Sequence, residues 1–193
     1  MKRFIGLMSL LTLLYACTES PAPVEEEELI EEEEYDFVPG RVLVGIKAGV
    51  DMESMFALIN DYEQKVLEMN SMVYWSDLPA DSLEYVLDYI NDKSYTNDGE
   101  FWYTTGYINA ITGTLTVFPK FWDIHNKTYQ ADWLATVTTL KLRMAVFNDQ
   151  DLSSGVMYIE VPEGEEKAFR DRFLEEDIVK WAHLDYILPD PGD

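Results

Sequence analysis

The chain is predicted to be α+β: a split βαβ sandwich with a mostly antiparallel sheet and a large α/β insertion in its middle. Three observations predict this. The stretch Val156–Ile187 reads strand, short helix, strand. A β-branched run at Val38–Val50 (VPGRVLVGIKAGV) has the composition of a distant partner strand and the turn after it. Between them the order of elements is βαβ, α, ββα, ββαβ, the clustering expected of helices packed on one side of a sheet. With 193 residues, 47% of them hydrophobic, the chain can bury a core of about one domain.

Residues 1–16 are read as a signal peptide. Lys2 and Arg3 form a basic start, and Phe4–Ala16 is an apolar run too short for the ~20 residues a membrane-spanning helix needs. Residues 17–37 are read as an acidic tether. Pro21 and Pro23 stiffen it, and Glu25–Glu28 with Glu31–Glu34 repel one another, so an extended, solvated spacer is expected. Residues 38–187 then form the α+β domain, with the insertion at about 63–139. The tail, 188–193, carries two prolines and a glycine and is expected to be mobile.

Within the domain, Arg41–Lys47 reads as a strand and Gly49 as a turn. Asp51 can cap a helix whose Met55, Leu58, Ile59 and Tyr62 recur at the spacing of one buried face. Val66–Trp75 reads as a strand interrupted at Asn70-Ser71. Pro79-Ala80-Asp81 opens a second helix, with Asp81 and Glu84 at capping-box spacing and Leu83, Val86, Leu87 and Ile90 as its stripe. Phe101–Asn109 and Thr114–Phe118 form a hairpin. A third helix runs from Asn126 to Leu140 around Trp133 and Val137. Leu142–Phe147 and Met157–Val161 are strands, Glu165–Glu176 is a helix burying Phe169 and Phe173, and Val179–Ile187 is the last strand.

Net charge and the cysteine count exclude several classes of function. At −23 the chain repels phosphate backbones, which excludes nucleic acid as a partner, and it repels anionic lipid as well. Cys17 is the only cysteine, so the folded body holds no disulfide, zinc knuckle or thiol nucleophile. The catalytic inventory is thin. His125 and His183 sit in no recognised ligand spacing, Asp123 with His125 offers a metal only two ligands, and Asp149 with Asp151 belongs to a polar turn. No nucleophile elbow, P-loop or dinucleotide fingerprint occurs. No cofactor and no metal is expected, and enzyme is the least favoured class. His125 reads as a surface-loop residue, and His183 as a half-buried sheet residue.

Aromatic side chains crowd into the middle of the chain: Trp102, Tyr103, Tyr107, Phe118, Phe121, Trp122, Tyr129 and Trp133. They form a core layer between hairpin and third helix, or an exposed cluster that stacks on sugar rings or docks a protein. Trp102, Tyr107 and Trp122 are the binding candidates.

Three resemblances add to this. Leu14-Tyr15-Ala16-Cys17 resembles the lipobox of bacterial lipoproteins. That resemblance implies cleavage before Cys17, lipid on its sulfur and acylation of the new amine. Each buried methylene is worth ~0.8 kcal/mol, so several acyl chains hold a protein on a membrane where one does not. Acidic residues soon after such a cysteine also resemble the export signals of some surface lipoproteins, but the dense run begins eight residues past Cys17 and a plain spacer is the favoured reading. From the lipidated Cys17 the cell envelope, and in it the outer membrane, is the expected location, with its face left open.

The two ends of the domain, Val38-Pro39-Gly40-Arg41-Val42-Leu43-Val44 with Lys47-Ala48-Gly49-Val50, and Val161-Pro162-Glu163-Gly164 with Val179–Tyr186, resemble the propeptide domain of subtilisin-like proteases, especially the fervidolysin type. The resemblance implies a ferredoxin-like fold. It departs at His183, Leu184 and Asp185, where that strand usually carries Glu, Pro and Asn. With no protease following Ile187 in this sequence, the expectation is a lipid-anchored, non-enzymatic module that binds another envelope protein. A surface glycan-binding lipoprotein and an inhibitor acting in trans on a separate protease are the alternatives.

Overall fold

The computed structural model describes residues 36–145 and 153–187. The signal segment, Cys17, nearly all of the tether, the Asp149/Asp151 pair and the tail 188–193 lie outside the described residues. In chain order the elements are β1 (Phe37–Lys47), α1 (Met52–Tyr62), β2 (Lys65–Asn70), β3 (Tyr74–Ser76), α2 (Leu83–Asn91), β4 (Thr105–Ile108), β5 (Leu115–Phe118), β6 (Phe121–Trp122), α3 (Lys127–Thr139), β7 (Leu142–Met144), β8 (Ser153–Glu160), α4 (Glu166–Leu174) and β9 (Val179–Tyr186).

These make two antiparallel sheets with four helices, an α+β arrangement. The first sheet has the order β6-β2-β8-β1-β9, the second β4-β5-β3-β7. In the first, two βαβ units interleave: β8 lies between β1 and β2, and β1 lies between β8 and β9. Val44 faces Met157 on one side and Ala182 on the other. The first and last strands of the domain are therefore neighbours, as the composition of the two ends predicts.

Alternation explains which faces are buried. Val42, Val44 and Ile46 of β1 and Met157 and Ile159 of β8 point inward, as do Val66 and Met69 of β2, which a register shift between Val66 and Glu68 brings to the same face. Met55, Phe56 and Ile59 of α1 and Phe169 and Phe173 of α4 join the same core. The two helices meet where Tyr62 stacks on Phe173 at 4.3 Å. The Tyr62 hydroxyl donates to Glu176 at 2.7 Å; burial and that carboxylate push its pKa up to about 12. Asp51 caps α1 as expected, accepting from the Ser54 N–H at 2.8 Å.

The middle of the chain differs from its sequence reading in three places. The run Val66–Trp75 is two strands in two sheets, because Ser71 takes a left-handed backbone (φ 60°) and turns the chain out of the first sheet into the second. β2 thus belongs to the interleaved body although it falls within the expected insertion of 63–139. Leu142–Met144, expected after that insertion, pairs with β3 in the second sheet instead. The segment between β2 and β8 both builds its own sheet and returns β6 to the edge of the first, where Trp122 faces Glu68. Asp81 does not cap α2. The extended boundary residue is Pro79 (ψ 150°), which has no side-chain acceptor, and Ala80–Ser82 forms a 3-10 turn before the helix.

Two contacts fix the interleaved body. Gly40 (φ 71°) donates its N–H to Glu166 Oε1 at 2.7 Å, and Gly164 (φ 87°) donates to Oε2 at 2.9 Å. The Gly40 N–H is the main reason the buried Glu166 carboxyl lies below its ordinary value. On the opposite face, the Trp181 indole lies across Gly45, where a Cβ would stand 2.1 Å from Cε2.

Gly45→Ala should therefore cost about 1–3 kcal/mol of stability through overpacking. Combined with Trp181→Ala it should cost less than the sum of the two single changes, as read by urea denaturation. Because the Glu166 pKa is depressed by folding, its contribution is complete above the unfolded value near 4.5 and is lost as pH falls through the folded value. Glu166→Gln should lower Tm at pH 7 and flatten the fall of Tm with pH below 4.5.

Candidate binding groove on the second sheet

The second sheet turns one face inward and leaves the other open. Tyr74 and Ser76 of β3 and Leu115 and Val117 of β5 point inward, and Tyr74 meets the buried Trp133 of α3 edge-on at 5.5 Å. Period two then sends Trp75, Thr116, Tyr107 and Arg143 to the other face. Tyr107 faces Thr116, Thr116 faces Trp75, and Trp75 faces Arg143, so the four stand in one row across β4, β5, β3 and β7. Thr116, only 3% exposed, forms the floor between two rings. Tyr107 stacks on Phe118 at 5.9 Å, one row along.

Charge and polarity at the groove are local and arranged. The Arg143 guanidinium lies 4.7 Å over the Trp75 ring, and its Nε is 3.3 Å from Asp77 Oδ1. Asn109 and Thr114 lie two residues beyond Tyr107 and before Thr116, on the same face. Asn109 Oδ1 accepts from the N–H groups of Ile111 and Thr112, and the Thr112 hydroxyl donates to that of Thr114 at 2.9 Å. Gly106 lets β4 approach closely, since a Cβ there would stand 2.5 Å from the Thr116 carbonyl oxygen. The resulting depression holds about 410 Å³.

A second depression of about 400 Å³ adjoins it through Val73 and Phe118. Lys120 Nζ sits 5.1 Å from the ring centres of both Trp102 and Trp122 and 2.9 Å from Glu68 Oε2. The loop carrying Trp102 is held by Asp98, whose carboxylate accepts from the N–H groups of Glu100, Phe101 and Trp102 at 2.7–3.0 Å. Those donors, Trp102 first, hold the Asp98 pKa below its ordinary value.

The aromatic side chains thus divide between core and surface. Trp133 and Phe121 are fully buried and Tyr129 stacks on Tyr95, as a core layer requires. Trp102 and Tyr107 are exposed, by 37% and 49%, and Trp122 is partly buried. Trp102 and Trp122 come together around Lys120, while Tyr107 stands in the neighbouring groove. Trp75 and Arg143 escape sequence reasoning. The alternation in Tyr74-Trp75-Ser76 marks Trp75 as facing away from Tyr74, but nothing local says which strands flank it.

The histidines differ from expectation. His183 is exposed on the outer face of β9, stacked on Trp181 at 5.2 Å, where a half-buried residue was expected. The outer face of this edge strand has no covering layer among the described residues. His125, expected on the surface, is partly buried, and its Nδ1 is enclosed without a hydrogen-bond partner.

Comparison with protein-family models, with curated proteins and with solved structures gave no match. Among the described residues no group of three or more His, Cys, Asp or Glu side chains is placed to hold a metal ion, and no helix is long and apolar enough to cross a membrane.

Lys120→Ala should remove the cation shared by two rings and the partner of Glu68. The expected loss is about 1–2 kcal/mol in urea denaturation, at ~0.5–1 kcal/mol for each ring contact. A shift in tryptophan emission should accompany it.

Proposed function

We propose that this chain is a non-enzymatic cell-envelope lipoprotein, anchored at the outer membrane through lipid on Cys17, with a ferredoxin-like, protease-propeptide-like body that binds another envelope protein. The order β9-β1-β8-β2, with its two interleaved βαβ units, supports the ferredoxin-like reading. A binding role is supported by one observation above others. Of the ten large hydrophobic side chains exposed among the described residues, six lie between Phe101 and Ile111, with Phe101 89% and Ile111 95% exposed. Such a concentration on one loop and one hairpin marks an interaction surface better than scattered exposure does. Carboxylates such as Asp51, Asp98 and Glu166 are meanwhile engaged by backbone N–H groups in structural roles.

A second reading, glycan binding, is favoured by the groove beside Tyr107, whose lining mixes rings with hydroxyl and amide groups.

Mass spectrometry of native material should find Cys17 at the amino terminus carrying acyl chains, and Cys17→Ser should release the protein from membranes. An unmodified thiol would remove the anchor. A photo-crosslinking residue at Phe101 or Ile111 should yield one discrete adduct with another envelope protein in cells, and the same residue at Glu63, away from this surface, should not. Equal labelling from both positions would remove the protein-partner reading.

A further inference from the structure

Deepening the glycan reading of the groove, we propose that the row Tyr107–Thr116–Trp75–Arg143 is the binding site for a neutral glycan, a short run of uncharged pyranose rings laid across the four strands. Four strands at ~4.8 Å spacing give a floor about 14 Å long. A pyranose presents C–H groups on its faces and hydroxyls around its rim. The groove matches both. Tyr107, Phe118 and Trp75 offer ring surface, and Thr114, Thr116 and Asn109 offer hydroxyl and amide groups along the same face. Threonine hydroxyls both donate and accept, as sugar hydroxyls do.

The choice of a neutral ligand follows from charge. Among the described residues Arg143 is the only ionised side chain lining this groove, and Asp77 pairs with it while its guanidinium stacks on Trp75. The site therefore carries little net field of its own. Around it the whole chain stands at −23, which repels a polyanion and leaves a neutral polymer unaffected. A protein segment would favour an apolar anchor pocket instead. The freely exposed apolar side chains, Phe101 and Ile111, lie beyond the groove, whereas its floor is a threonine.

The test is affinity electrophoresis of the full-length protein, purified from membranes in a mild non-ionic detergent. Native gels would carry a neutral β-1,3-glucan, β-1,4-mannan, xyloglucan or α-1,4-glucan, with polygalacturonate as the anionic control. At least one neutral polymer should retard the protein. Tyr107→Ala should raise the polymer concentration needed for half-retardation at least tenfold. Thr116→Val, which keeps the shape and removes the hydroxyl, should raise it several-fold, and circular dichroism should show both variants folded as the parent. Retardation by polygalacturonate alone would overturn the neutral class and leave a glycan site standing. Retardation by none of the polymers would overturn both the proposal and the glycan reading beneath it. Retardation unchanged in both variants would overturn the placement of the site in this groove.

Discussion

A carboxylate taken out of water has to find donors, and Glu166 finds them in two glycines far apart in the chain. Gly40 lies in the first half of β1 and Gly164 precedes α4; each has a left-handed backbone, and each turns an N–H toward one oxygen of the same side chain. The Val161 N–H also donates to the Gly40 carbonyl at 2.9 Å. The first half of β1 and the turn from β8 into α4 are thereby held as one joint. β1 and β8 can then lie side by side in register, and β9 can close on the far side of β1. Everything between β2 and β8 hangs from a body closed in this way.

That body leaves the chain between β2 and β8 free to build a second sheet. Its inner face resembles the first in chemistry: Tyr74, Leu115 and Val117 share one core cluster with Trp133, and the Trp133 Nε1–H donates to the Tyr74 hydroxyl at 3.3 Å. Burial pushes the Tyr74 pKa well above its ordinary value, so the hydroxyl stays neutral as both partner and core residue. Its outer face is different. There the strands carry rings, hydroxyls and one paired cation in register, and the floor is rigid because the opposite face is packed.

How much of this was legible in the sequence depends on the range over which each signal acts. Alternation in Val42-Leu43-Val44 and the helical stripe Met55, Leu58, Ile59 are local, and they mark β1 and α1 directly. The meeting of the domain's first and last strands was legible because two β-rich segments needed partners. The groove was not, since Trp75 and Arg143 come from strands with two helices and three strands between them in sequence. Asn70-Ser71 marked a break, but whether a break bends one strand or separates two sheets is decided by packing on both sides. The capping box at Asp81 failed because Pro79 took the extended position first. Tyr107 and Trp102 were picked out by crowding of aromatic residues, which says nothing of the lysine that joins Trp102 to Trp122.

Gly106 shows how much a missing atom can shape a surface. With no side chain there, β4 settles against the Thr116 carbonyl, and the neighbouring Tyr107 stands opposite Thr116 with its ring stacked on Phe118. A methyl group at that point would stand 2.5 Å from that carbonyl oxygen and 2.9 Å from Val117 Cγ1, so β4 and β5 would have to move apart. The cleft's depth is thus a property of the backbone, inherited by whatever side chains line it. Changes in the rings would alter what the cleft prefers, and a change at this glycine would alter whether there is a cleft at all.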